Sequence, residues 1–407
     1  MSNPIFIARQ DTLDEKIIPA QLLNDYKLHG EYSFVFHTPE LWHKMCTHAY
    51  AANDQKVNGD ALEYVLTKAA PTGSYSLSNW MALLCDTAEQ AAQGLYAGIE
   101  TAGQLAQSSA AMAAVSNSET AMAAVSGSEM AMNSICSVKT ALRAFAASKH
   151  WDSTVKENDM AIAKAAVALA NSNEFSTISS CAEMVENSTA MSVLAASETA
   201  MSVLAASETA MSVLAASETA MSVLADSATA RKALTGSSYY GKYMQNNTMC
   251  IAKLVVGFAN LASAGYSSMA GVAADATAMN AVAASSTAMN AVAASSTAMN
   301  AVAASSTAMN AVAASTTALD ALYARKKRMS GGSASKTGKF IILEISASNA
   351  FNTSKYGYAT LSDGSKPDWG SYVAKYAFFK KYPKYATYMK NDTDSDDYID
   401  YFDITNP

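Results

Sequence analysis

This chain of 407 residues is short of charge: Asp, Glu, Lys and Arg make up 15% of it, against a usual quarter. Its formal net charge is −7, which argues against a protein that tracks nucleic-acid phosphates. It lacks any uninterrupted apolar run of about 18 residues, the length a membrane span needs. The nearest approach, MCIAKLVVGFANLASAG at 249–265, is broken by Lys253 and Asn260. It reads as a buried helix, and no membrane insertion is expected. Cysteine is scarce and scattered, at Cys46, Cys85, Cys136, Cys181 and Cys250. An odd, unclustered set gives no disulfide framework and points to free thiols in a reducing compartment. The opening MSNPIFIARQDTLDEK has no basic start followed by an apolar core, so no signal peptide is expected.

The motifs of catalysis are also missing. There is no G-x-S-x-G, no phosphate loop and no dinucleotide fingerprint. His37, His43 and His48 gather near Cys46, but His43 and His48 are five apart and do not share a helix face, so no metal spacing results. His150 stands beside Trp151 and is expected to pack on it. The run DTDSDDYIDYFD places Asp392, Asp394, Asp396 and Asp403 at calcium-loop positions. Asp397 stands where that loop needs Gly, and Asp403 where it needs Glu. A solvated acidic turn is the expectation and a calcium site the alternative. No catalytic, cofactor or metal residue is assigned, and no enzyme is expected.

What the chain has instead is repetition. Residues 196–224 read ASETAMSVLAASETAMSVLAASETAMSVL, and 285–314 repeat SSTAMNAVAA. A methionine recurs every ten residues, with an aliphatic three places later. One block pairs Met191 with Leu194, Met201 with Leu204, Met211 with Leu214 and Met221 with Leu224. Another pairs Met279 with Val282, Met289 with Val292, Met299 with Val302 and Met309 with Val312. A worn earlier block carries Met112, Met122 and Met132. These residues are the expected core of the repeats.

The word is helical in propensity, and its Ser before Glu or Ser resembles an N-cap. Its length suits no straight helix. Ten residues at about 100° each leave the apolar pair about 80° out of phase with the next word. Two structures accommodate that. One is a parallel homotrimeric coiled coil that absorbs the slip in each word. The other is a single-chain stack of short helices, each of about seven residues and capped by its Ser pair. With two large apolar side chains per word, one chain buries little surface on its own, so the homotrimer is the favoured expectation.

Between the blocks lie longer segments that also repeat. MAIAKAAVALANS from Met160 matches MCIAKLVVGFANLAS from Met249, an offset of 89 residues. The expected organisation is an N-terminal mixed α/β docking module (1–78), a first helical segment with a decad block (79–148), and a helical excursion (149–187). A second decad block (188–235), an excursion like the first (236–275) and a third block (276–328) follow. A Gly/Ser hinge (329–337) then leads to a β-rich tip (338–407). The cluster Arg325–Arg328 reads as cations at a helix C-terminus ended by Gly331 and Gly332. The tip is rich in tyrosine, and Tyr356, Tyr358, Trp369, Tyr372 and Tyr388 are its candidate contact residues.

Taken together, the S-[SE]-T-A-M-x-[AV]-[VL]-A-A decads and the GKFIILEIS strand that leads to a final aromatic strand resemble phage tail-fibre and related virion appendage proteins. The resemblance spans roughly 109–407. It implies a mainly α homotrimeric virion fibre, assembled in the host cytoplasm. The fibre would dock on other virion proteins by one end and present the other to a host surface glycan or protein. The alternative is a capsid, collar or filament scaffold or decoration protein that contacts no receptor.

Overall fold

The computed structural model describes residues 101–170, 177–347, 356–368, 372–394 and 396–407. The N-terminal module, with its histidine cluster, lies outside them. The chain is mainly helical, with one small antiparallel sheet at its C-terminal end. It divides into two units, 1–214 and 215–407.

The first unit shows how a ten-residue word folds. Helix α1 (Ala102–Gln107) is followed by α2 (Ser109–Asn117), α3 (Glu119–Gly127), α4 (Glu129–Ser137), α5 (Lys139–Ala146) and the single turn α6 (Trp151–Thr154). After α7 (Asp159–Leu169) and α8 (Cys181–Glu186) come α9 (Ser188–Ala196), α10 (Glu198–Ala206) and α11 (Glu208–Ala216), which runs across the boundary between the units. The full words are helices of eight or nine residues joined at one extended residue, not seven-residue helices with a Ser pair between them. Ser197 is such a joint, at φ −96° and ψ 113°. Its N–H donates to the Leu194 carbonyl at 3.0 Å and its own carbonyl accepts from Met201 N–H at 3.0 Å. Its hydroxyl oxygen accepts from Ala200 N–H at 3.3 Å. One residue therefore closes one helix and opens the next. The following Glu198 occupies the first helical position, where a carboxylate complements the helix dipole.

The phase problem disappears at that joint. The extended residue turns the chain, so that α9 and α10 lie 103° apart. In the columns that form within each unit, the chain comes round in three words and a helix packs on the third one after it. In the first unit α1, α4, α7 and α10 form one such column, and α2 packs on α5. Every residue named above as repeat core is buried, none more than 2% exposed. The alanine before each methionine and the alanine after each Leu are buried with them, as at Ala200 and Ala205. These alanines are core that counting large side chains misses. A trimeric coiled coil is not seen, and one chain owns core enough to cover its own methionines.

The segments read as excursions belong to the same columns. Helix α7 sits between α4 and α10 and is buried continuously from Ala161 to Val167. In the second unit, α12 (Glu218–Asp226), α13 (Ala228–Gly236) and the short α14 (Tyr240–Tyr243) lead to α15 (Thr248–Phe258). Helix α15 packs on α12 and is buried from Cys250 to Gly257. Gly257 is required there, because a Cβ would lie 1.9 Å from the Ala225 carbonyl oxygen. The offset of 89 residues extends to the side chains. Lys164 Nζ meets Glu129 at 3.1 Å, and Lys253 Nζ meets Glu218 at 3.3 Å. Both lysines are buried to 4% exposure or less.

The third block continues as α16 (Met269–Ala274), α17 (Ala276–Ala284), α18 (Ser286–Ala293), α19 (Ser296–Ala304), α20 (Ser306–Ala314) and α21 (Thr316–Tyr323). Helix α15 packs on α18, and α18 on α21; α16 packs on α19, and α17 on α20. The joint serines tie the turns together. Ser305 and Ser315 each accept from an N–H of the helix they start, and each donates its hydroxyl to a carbonyl 32 residues earlier, Ala273 and Ala283, at 2.5 Å.

The sheet closes this stack. Strands β1 (Lys327–Ser330), β2 (Ala334–Ser346), β3 (Gly357–Leu361), β4 (Tyr372–Val373), β5 (Ala386–Asn391) and β6 (Tyr398–Asp403) run in the order β1-β6-β2-β5-β3, with β4 beside the end of β2. Ile341, Leu343, Phe402 and Ile404 join the same apolar core as Leu319 and Leu322 of the last repeat helix. Met329, Ile342, Ala359, Met389 and Ile399 form a second core. A short helix α22 (Ala377–Lys381) sends Phe379 into the first core and Phe378 into the second. The residues read as a hinge (329–337) lie largely in β1 and β2, and Gly331 donates its N–H to the Asp397 carbonyl at 2.7 Å. The sheet is a cap on the repeats rather than a tip hung from a flexible joint.

Candidate binding face on the terminal sheet

Two features of the sheet carry chemistry: a charged seam against the last repeat helix and a tyrosine-bearing face near the β3 edge. The seam is built on Asp400, which is fully buried. Its carboxylate accepts from Arg328 Nε at 2.7 Å and from Arg328 Nη2 at 2.9 Å. Lys326 Nζ donates to the same carboxylate at 2.5 Å and to the Tyr323 hydroxyl at 2.8 Å. Tyr323 donates in turn to Glu344 at 2.7 Å. Burial acts to raise the Asp400 pKa, but the hydrogen bonds from Arg328 and Lys326 outweigh it and hold the carboxyl below the ordinary range.

The basic cluster begins at the helix end, where Arg325 and Lys326 donate their N–H groups to the Leu322 and Tyr323 carbonyls at 3.1 Å, and runs on into the sheet. Helix α21 stops at Tyr323, and Arg328 belongs to β1, opposite Asp400 in the register. The guanidinium also lies over the Tyr398 ring, 3.6 Å from its centroid. The sequence signal that was available is charge pairing between distant segments: RKKR at 325–328 and the acidic run at 392–403 are the two dense charge clusters of the C-terminal region.

The second feature follows from strand register. Tyr388 stands opposite Thr337 of β2 and Thr360 of β3, while Lys390 stands opposite Ser335 and Tyr358. Side chains on paired positions share a sheet face. The face therefore presents Ser335, Thr337, Tyr358, Thr360, Tyr388 and Lys390 together. Tyr358 and Tyr388 are diagonal neighbours with ring centroids 5.4 Å apart, and Lys366 Nζ lies 4.5 Å from the Tyr358 centroid. Both rings are partly exposed, and Ser335 and Thr337 are exposed.

Of the five aromatic residues singled out from the sequence, the structure brings Tyr358 and Tyr388 together. Tyr356 precedes β3 and its carbonyl accepts from Asp392 N–H at 2.8 Å. Tyr372 pairs with Ser346 at the far end of β2, away from that pair. Trp369 lies outside the described residues. Tyr376 and Tyr401, from the same tyrosine-rich stretch, are core residues at 5% and 3% exposure. Composition could not separate these roles; alternation along β3 and β5 could have.

The acidic run does not converge on one point. Asp392 binds Ser333 and, at 3.0 Å, Lys390. Asp400 faces the seam, and Asp403 accepts from Thr405 N–H at 3.1 Å and Thr405 Oγ1 at 2.9 Å. Among the described residues no group of three His, Cys, Asp or Glu side chains is arranged to hold a metal. Nor is any single helix among them long and apolar enough to cross a membrane. His150 sits 3.9 Å from Glu119, and the ring against Trp151 is Phe145, edge-on at 5.9 Å. Buried Cys250 has its thiol pushed up to about 12 by burial, which keeps it unreactive. No protein-family model matches this chain, and no curated protein matches it with significance.

Proposed function

We propose that this chain is a non-catalytic virion fibre protein whose repeats set reach and whose terminal sheet contacts a host surface. The observation that carries the reading is the pairing of two unlike parts. A stack of interchangeable words can only extend, since each word touches chiefly its neighbours. The sheet that ends it carries two tyrosines, a lysine and exposed hydroxyls on one face, a composition suited to recognition. The decads add their resemblance to phage appendage proteins. In this reading the N-terminal module docks on other virion proteins. Assembly as a homotrimer belongs to the same proposal, with contacts between chains made outside the buried methionines. Light scattering tests that part: a mass of three times 42.7 kDa supports it, and a monomer removes it.

The runner-up is a scaffold or decoration protein without a receptor, favoured by how firmly the sheet is fused to the repeats through Asp400. Binding of the purified full chain to host cells, compared with Tyr358→Ser and Tyr388→Ser, separates the two. The fibre reading expects at least a tenfold loss of binding in each variant. Equal binding by all three proteins, or none by any, favours the scaffold.

A further inference from the structure

We infer that the number of decads in the third block sets the direction in which the sheet faces, in steps of one third of a turn. The inference holds for a fibre and for a scaffold alike. It starts from the columns of the second unit. Helix α12 packs on α15, α15 on α18 and α18 on α21. Three words therefore make one turn. The six steps from α15 to α21 make two whole turns, which places the buried helix and the last repeat helix in one column. The sheet is fixed to that last helix by Lys326, Tyr323, Glu344 and Asp400, and by Tyr376, whose hydroxyl donates to Asp320 of α21 at 2.6 Å.

The words between these fixed points are interchangeable. Residues 285–314 are three identical copies of SSTAMNAVAA. Partners that grip them find the same atoms one word later. Asn246 accepts from Ser295 Oγ at 3.1 Å, and its carbonyl accepts from Thr297 Oγ1 at 2.9 Å. Lys339 Nζ donates to Asn300 Oδ1 at 2.9 Å. The same Ser and Thr stand at Ser285 and Thr287 and at Ser305 and Thr307, and the same Asn at Asn290 and Asn310. Adding or removing one word thus restores every local contact while displacing the sheet by one place around the stack. Three words return it to its column, one turn further along. Near-identical words are thereby a device for re-aiming the sheet as well as for lengthening the stack. The side that the buried helix and its covering segment 259–268 turn outward, and the side that carries Tyr358 and Tyr388, need not stay in their present relation when words are gained or lost.

The test inserts one, two or three extra SSTAMNAVAA words after Ala294 in the full chain. Bio-orthogonal spin labels at the exposed positions 264 and 380 report the distance between the covering segment and the sheet. Helical signal and melting temperature report folding. All three variants are expected to fold. The three-word variant is expected to lengthen the distance by the spacing of one packed helix, about 8–10 Å. The one-word and two-word variants are expected to depart from the straight line joining the parent and the three-word variant, because the label has swung round the axis. Distances that rise in three equal steps would overturn the inference. So would folding of the three-word variant with collapse of the other two, since then only whole turns are tolerated.

Discussion

The repeats and the sheet that caps them solve the same problem, burial of a sparse apolar set, in opposite ways. In the identical words at 285–314 the contacts recur from one word to the next. Met289 and Met299 are both fully buried, each in a serine-capped helix and each preceded by a buried alanine. In the sheet almost every contact is made once: one Asp400, one Arg328 opposite it, one Gly331 where a Cβ would fall 2.0 Å from the Asp394 carbonyl oxygen. Redundancy makes the repeats tolerant of change in number. Uniqueness makes the sheet a fixed end, and leaves it dependent on single residues.

The largest expected effect strikes that fixed end. Gly331→Val places a branched side chain against backbone and should abolish protection of β1 and β6 in hydrogen exchange, while α17–α20 stay protected. Next, Met289→Ala and Met299→Ala should each cost about 2–4 kcal/mol in denaturant unfolding. The two values should agree within about 0.5 kcal/mol, because equivalence is the claim. A larger gap would show that the words are not energetically interchangeable. Asp400→Ala leaves two cations without their partner, but both are partly exposed, so about 2–3 kcal/mol is expected rather than the full cost of breaking a buried pair. Acid should mimic it. The folded-state pKa of Asp400 is depressed, so its contribution is complete above the ordinary carboxyl pKa of about 4 and is lost as pH falls through the lower folded value. Parent and Asp400→Asn should therefore converge in stability toward pH 2. If their difference is unchanged there, the seam does not work through charge.

Much of the repeat core was legible in the sequence, because methionine and aliphatic spacing needs no knowledge of the turn. The serine cap was legible for the same reason: a hydroxyl before Glu-Thr-Ala can serve the N–H three places on. What could not be read was the joint. A period of ten shows a phase slip but not whether the slip is spread over a supercoil or absorbed in one extended residue, and only the second lets one chain bury its own methionines. A count of large side chains leaves out the alanines, whose small size lets a helix lie against the third one along. At the sheet, alternation was visible in GKFIILEIS. The pairing of Arg328 with Asp400 was not, because it joins residues 72 apart and no local pattern fixes register at that separation. Tyr358 and Tyr388 were named from composition and came together through register, whereas Tyr372 was named on the same grounds and did not.

The smallest expected effect compares the two buried lysines' surroundings with their charge. Lys253 is fully buried, and its ammonium has Glu218 at 3.3 Å and the Ser263 carbonyl at 3.4 Å. Glu218 remains more than half exposed, so the carboxylate gives up little hydration to reach the lysine. An ion pair of this kind repays the lysine's desolvation without adding much beyond it. Lys253→Met keeps the volume and removes the need for a partner, and should change stability by less than about 1 kcal/mol in either direction. Glu218→Ala keeps the buried cation and removes its counter-charge, and should cost more, about 1–2 kcal/mol. The double variant should resemble Lys253→Met alone, a non-additivity that a double-mutant cycle reads directly. Lys164 and Glu129, 89 residues earlier, should behave alike. If Lys253→Met costs more than Glu218→Ala, the lysine is holding α15 in its column by more than neutralised burial, and the ion pair would then belong with the unique contacts of the sheet rather than with the replaceable ones of the repeats.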